Sequence, residues 1–264
     1  MLSQVLFNEE SRTIPYIFKV NFQGKTEFTA KNDRAPERLF EFHQDMLIKD
    51  SSSITALLLR LFNNYELDVS LGDIVTAEHK QEQNDFLRAV MNTRVMKLTM
   101  DFLVKRGLVP VDNGTQLTLL QDLWFTPYSR GKGIVGSSSF EYVFMAEIRN
   151  QNVLGLHNWI YFAEQEHQGH ADYKGWISRV DSGKLNKFAL AMRSTFYDLR
   201  SPYNSFLVGS SPELEMSLFT VCFLVMPEKQ PCEIRLGRAK LSIVLHTRMW
   251  MGKRVIDTAY IELL

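Results

Sequence analysis

The sequence carries no excess of charge of either sign. Its 30 Lys and Arg balance 30 Asp and Glu. Proteins that hold nucleic acid through bulk electrostatics show a basic excess, so any RNA ligand here must be gripped by a small local site. Cysteine is scarce, with only Cys222 and Cys232, which excludes a disulfide framework. Cys222 lies within the apolar run FTVCFLV and reads as a buried free thiol, while Cys232 follows a proline. That usage fits a reducing compartment. No apolar window of about 18 residues is present, so no membrane span is expected. The start MLSQVLFNEE lacks the basic-then-apolar pattern of a signal peptide. As given, the chain reads as cytoplasmic; a processed form of a secreted precursor would look the same. Nucleophile elbow, Ser/His/Asp order and zinc-ligand cluster are all absent, and RGKGIVG is only a fragment of a phosphate loop.

What is present is an ordinary globular balance, 45% apolar and 23% charged over 264 residues, enough for one large domain or two small ones sharing a core. Residues 1–32 read as an N-terminal extension. Within it Phe18, Val20 and Phe22 alternate before Gln23-Gly24 and suggest a small hairpin. Residues 33–110 read as helical. ITALLLRLFNNY is one helix. NDFLRAVMNTRVMKLTMDFLVKRG is another, with Asn84 or Asp85 as cap and Gly107 as stop. From 111 to 264 short β-type runs take over, among them EYVFMAEI, KFALAMRSTFY, AKLSIVLHTRMW and RVIDTAYIEL. They are interrupted by the helices HNWIYFAEQEHQ and SPELEMSLFTVCFLV. In the second, Ser211 is the N-cap and Pro212 the first residue. Helix-then-strands occurs twice, which predicts an α+β fold with two helix-backed antiparallel sheets.

Six histidines are candidates for chemistry: His43, His79, His157, His167, His170 and His246. His157 stands out, because it opens a helix after a strand, where the helix dipole keeps an imidazole neutral as a general base requires. His167 and His170, three apart beside Glu164 and Glu166, could ligate metal but read first as an exposed turn. Tyr128-Ser-Arg130 could anchor an anion.

Three segments extend the reading. LWFTPYSR with SSSFEYVFMAEI resembles the W-F-x-x-Y-x-R and F-E-H-V-F-x-G-E blocks of the uridylate-specific endoribonuclease (EndoU) family. GLHNWIYF resembles its G-x-H-N-W-I block, and SFLVGSSPELE its F-x-G-x-S-P-E-F-E block. The resemblance runs in order over residues 33–264. It implies cleavage of single-stranded, U-rich RNA 3′ of uridine, assisted by Mn²⁺ or Ca²⁺, through attack of the 2′-hydroxyl to leave a 2′,3′-cyclic phosphate. It implies no membrane or DNA partner, and a monomer. The family's general base falls on His157. Its acid histidine falls on Tyr142 and its lysine on Arg200, so two of three catalytic positions are substituted. The uridine-reading residues fall on Thr258 and Tyr260, with Ser205 as a further base contact. Glu141 and Glu147 fall where family acids hold metal or orient partners. A phenol, with a reference pKa of about 10, shuttles protons poorly at neutral pH compared with imidazole at about 6.5. The resemblance therefore implies a slow endoribonuclease, with a non-catalytic uridine-binding module or a partner-binding protein as alternatives.

Overall fold

A computed structural model describes residues 1–10, 18–42, 50–131, 133–226 and 230–264. His43 and Lys132 of the RGKGIVG loop lie outside them. The N-terminus is tied to the body. Helix α1 (Leu2–Glu9) buries Leu6 and Phe7. Ser3 donates to the Arg235 carbonyl at 3.1 Å and accepts from the Arg235 amide at 3.0 Å. Glu10, 3% exposed, pairs with the buried Lys187 and accepts from the Ser211 amide at 2.6 Å. The expected hairpin at Gln23-Gly24 is not formed. Strand β1 (Phe18–Val20) pairs antiparallel with β2 (Phe40–Phe42). Alternation marked the strand correctly but could not name its partner. The Gln23 side chain instead bridges the Glu37 backbone, donating to its carbonyl at 2.6 Å and accepting from its amide at 2.9 Å.

Four helices follow: α2 (Ile54–Leu61), α3 (Ala77–Asn92), α4 (Arg94–Lys105) and α5 (Asn113–Phe125). The long run expected as one helix is two, and it starts at Thr76, whose hydroxyl caps the His79 amide, rather than at Asn84 or Asp85. Thr93 makes the break. Its backbone is extended, and its hydroxyl donates to the Val90 carbonyl at 2.7 Å while accepting from the Met96 amide at 3.1 Å. One residue thus closes α3 and caps α4. Phe86, Leu87, Val90, Val95, Met96 and Leu103 all fall at 0–1% exposure and line the core, each fully buried side chain contributing about 1.5–3 kcal/mol.

The second half is α+β, as the sequence predicts. Helix α6 (Ser139–Phe144) leads into the hairpin β3 (Ala146–Arg149) and β4 (Asn152–Gly155), joined by Asn150 and Gln151 at φ 49° and 60°. Two left-handed residues give a turn whose twist matches the strands. Helix α7 (Trp159–Gln168) precedes and packs on the antiparallel sheet of β5 (Ala171–Lys184), β6 (Lys187–Phe196) and β7 (Leu199–Val208). Helix α8 (Pro212–Val225) precedes and packs on a second antiparallel sheet of β8 (Cys232–Leu236), β9 (Ala239–Trp250) and β10 (Lys253–Leu263). Among the described residues these are eight helices, none long and apolar enough to cross a membrane.

Cys222, at the end of α8, is not a free thiol. It is bonded to Cys232, the first residue of β8, across a separation of ten residues. An apolar run signals burial equally for a thiol and for half a disulfide, so the sequence alone did not distinguish them.

Candidate active site

Tyr142 was expected on a strand, but it lies in the short helix α6. Ser138 starts that helix by accepting from the Glu141 amide at 3.2 Å, and the backbone turns extended again only at Met145. The β4 strand then returns against it. Gly155 has φ 73°, and a Cβ there would stand 2.4 Å from the Tyr142 carbonyl oxygen, so only glycine permits the approach. Leu156 follows at φ 63° with its amide on the Met145 carbonyl at 2.8 Å. Two successive left-handed residues aim the next one, His157, back at Tyr142. The two ring centroids stand 5.7 Å apart.

Tyr260 closes the other side of the imidazole, also at 5.7 Å between centroids. Thr258, two residues earlier on β10, projects from the same face and hydrogen-bonds Tyr142. The register of β10 against β9 shifts between Ile256 and Thr258. That bulge turns Asp257 toward two arginines.

His157 is 8% exposed. Its Nδ1 lies 3.3 Å from the Ser205 carbonyl oxygen. A carbonyl only accepts, so Nδ1 carries the hydrogen and Nε2 keeps the lone pair, the tautomer a general base needs. Burial pushes the imidazole pKa down to about 4, outweighing the opposing effect of the Ser205 bond. Burial pushes the Tyr142 phenol above its ordinary value, against smaller lowering by Thr258 and the Arg130 guanidinium.

Arg130, from the Y-x-R block, is the cation beside Tyr142, 4.9 Å above its ring. It is 8% exposed and heavily engaged. Nε donates to Ser137 and to Glu147, each at 2.9 Å, Nη1 to Asp257 at 3.0 Å and Nη2 to the Tyr128 hydroxyl at 2.8 Å. Arg248 shares Asp257 at 2.8 Å and donates to the Ser129 carbonyl at 2.8 Å. The sequence pattern gives Arg130 only an anion-anchoring part and does not mark Arg248; the alternation of His246 and Arg248 on β9 was the available signal.

Two expected residues take other places. Among the described residues no contact joins Arg200 to this cluster. It pairs with Thr195 near the β6–β7 turn, five residues before Ser205 on β7, which at about 3.3 Å per residue is roughly 16 Å of strand. Its guanidinium instead lowers the pKa of Arg193, after the larger effect of burial. Ser205 is fully buried, and its hydroxyl is committed to the Ile261 carbonyl. Its carbonyl, rather than its side chain, serves the site.

Glu141 and Glu147 flank Tyr142 at 1% and 0% exposure. Both oxygens of Glu141 and Oε1 of Glu147 have no hydrogen-bond partner. Burial first, then Glu147 and Asp73, raise the Glu141 carboxyl well above the usual range; burial raises Glu147 despite Arg130. Three unpaired carboxylate oxygens are hard donors suited to Mn²⁺ or Ca²⁺, although among the described residues no three His, Cys, Asp or Glu form a metal cluster. His170 is engaged elsewhere, stacked on Tyr197 at 4.5 Å and 3.2 Å from Gln165.

The chain is similar in sequence and fold to known proteins. A family model described as endoribonuclease XendoU matches residues 1–261. A Drosophila melanogaster protein named uridylate-specific endoribonuclease EndoU is 59% identical over 259 residues, spanning 98% of this chain and 80% of that protein. Poly(U)-specific endoribonuclease-A of Xenopus laevis is 33% identical over 257 residues, 94% of this chain and 86% of that one. A solved structure of XendoU, described as a splicing independent snoRNA processing endoribonuclease, matches with a TM-score of 0.82 at 31% identity, covering 100% of this chain and 96% of that one. The chain belongs to the XendoU (EndoU) family of endoribonucleases.

Proposed function

We propose that this protein is a slow uridylate-specific endoribonuclease that cleaves single-stranded RNA 3′ of uridine. The observation that carries the reading is the His157–Ser205 carbonyl bond, which leaves Nε2 basic on the face bearing Tyr142, Thr258 and Tyr260. Nε2 takes the proton of the 2′-hydroxyl. The 2′-oxygen then bonds to phosphorus, the bond to the 5′-oxygen breaks, and a 2′,3′-cyclic phosphate and a free 5′-hydroxyl result. Thr258 and Tyr260 read the uracil, one by hydrogen bonding and one by its ring.

Slowness follows from two features. A base held near pKa 4 accepts a proton weakly, and general catalysis is strongest when the pKa lies near the working pH. Tyr142, whose phenol is raised further by burial, stands where an acid imidazole is expected and gives up its proton poorly. That same feature favours a second reading, a uridine-binding module without turnover. With Arg200 outside the cluster, charge on the phosphorane falls to Arg130 and the half-exposed Arg248.

Glu141 and Glu147 would hold Mn²⁺ or Ca²⁺, and the bound ion supplies positive charge that neutralises these two buried carboxylates. The partner is U-rich single-stranded RNA, gripped locally because the net charge is zero. The disulfide favours an oxidising compartment over the cytoplasm. The test is incubation with a labelled U-containing oligonucleotide, with Mn²⁺, Ca²⁺ or chelator. Uridine-specific cleavage supports the enzyme, binding without cleavage supports the module, and neither removes both.

A further inference from the structure

The chemistry above leaves the departing 5′-oxygen short of a proton donor, because Tyr142 is a buried phenol. One histidine that the family pattern does not use stands on the same face. On β9, His246 pairs directly with Thr258 of β10. Directly opposed residues in an antiparallel pair project to one side, with Cβ atoms about 4.5–5.5 Å apart. Thr258 faces Tyr142, so His246 faces the site as well.

A second observation fixes that face independently. Arg248, two residues along β9 and hence on the same side, is engaged with Asp257, the Ser129 carbonyl and the face of the Tyr128 ring at 5.6 Å. All of these border Arg130 and Tyr142. The site-facing side of β9 therefore carries His246 and Arg248 in sequence. His246 is exposed.

We propose that His246 is a catalytic residue, the proton donor to the leaving 5′-oxygen. This rests on the endoribonuclease reading. As the bond from phosphorus to the 5′-oxygen breaks, its electron pair stays on oxygen, and that oxygen takes the imidazolium proton. His246 is then reprotonated from solvent, which its exposure permits. In an in-line displacement, base and acid stand on opposite sides of phosphorus, separated by two hydrogen bonds of about 2.8 Å each plus the O–P–O axis. His246 is a diagonal neighbour of Tyr260, at about 7–8 Å, and the Tyr260 ring stands 5.7 Å from the His157 imidazole, so one ring neighbours both histidines. Tyr142, in direct ring contact with His157, is left to hydrogen-bond the phosphate.

Two oligonucleotides with a single uridine test this, one ordinary and one with sulfur replacing the bridging 5′-oxygen at the scissile position. A thiolate departs without protonation, and the flanking bases are unchanged. His246→Ala and His246→Gln should cleave the ordinary substrate about 100-fold slower than the parent while keeping the sulfur substrate within about threefold. His157→Ala should lose both. Equal loss of the two substrates in the His246 variants, with unchanged melting temperature, would make His246 a mere contact to RNA and overturn the proposal. So would full activity on the ordinary substrate. If the parent cleaves neither substrate, the endoribonuclease reading itself fails; if the parent cleaves both and the His246 variants match it, only the role of His246 fails.

Discussion

Reduction of the Cys222–Cys232 bond offers a clean perturbation, because two thiols occupy nearly the space of the disulfide. The bond closes a loop with a separation of ten residues. Loop-closure entropy then assigns it about 2.7 kcal/mol, through restriction of the unfolded chain. It also clamps the end of α8 to the start of β8, where Cys222 is 3% exposed and Cys232 is half-buried. For a chain of this size each kcal/mol moves the melting temperature by about 2–4 °C, so reduction should lower it by roughly 5–10 °C. Thermal melts with and without dithiothreitol, and of a double Cys222→Ala, Cys232→Ala variant, read the effect. Thiol titration of the denatured, unreduced protein should find no free thiol. Two titratable thiols, or melts that superimpose with and without reductant, would refute the reasoning and restore the free-thiol reading.

Tyr142→His replaces a phosphate contact rather than the donor to the leaving oxygen, with Arg130 4.9 Å from the ring opposing its protonation, and should change single-turnover cleavage by less than about tenfold; a gain of about 100-fold or more, the range of positioned acid catalysis, would give the acid role to position 142 and take it from His246. Tyr260→Ala should weaken uridine binding by about 1–3 kcal/mol, the range for one base on one aromatic ring, as read by fluorescence anisotropy with U- and C-containing oligonucleotides. Glu10→Ala leaves Lys187 buried without its partner and should cost about 3–5 kcal/mol in denaturant unfolding; a loss under 1 kcal/mol would mean that α1 is dispensable. Burial holds the Glu215 carboxyl up at about 8 and Glu166 at about 7 in the fold. Each folded value lies above the unfolded one, so the stabilising contribution is full below the unfolded value of about 4.3 and is lost as pH rises through the folded values. Glu215→Gln should flatten the fall in melting temperature between about pH 5 and 8 relative to the parent.

The α+β class was legible because two helices with clear caps, at Asn158 and Ser211, separate runs of strand-type residues. The place of His157, after a strand and before a helix, was legible. Less could be read where residues are buried on all sides. EYVFMAEI contains both a helix and a strand, and only the Ser138 cap separates them. Thr93 looked like an interior helix residue because its side-chain capping leaves no mark on apolar periodicity. Arg200 was placed by aligned spacing, whereas strand register fixes how far it lies from Ser205. His246 was one histidine among six until pairing with Thr258 gave it a face.

The most direct measurement is product analysis after incubation of the parent and His157→Ala with a single-uridine RNA oligonucleotide. The parent should yield one cut 3′ of uridine, with a 2′,3′-cyclic phosphate on one fragment and a 5′-hydroxyl on the other, and His157→Ala should yield none. A 5′-phosphate product, cleavage indifferent to uridine, or equal cleavage by His157→Ala would contradict the account.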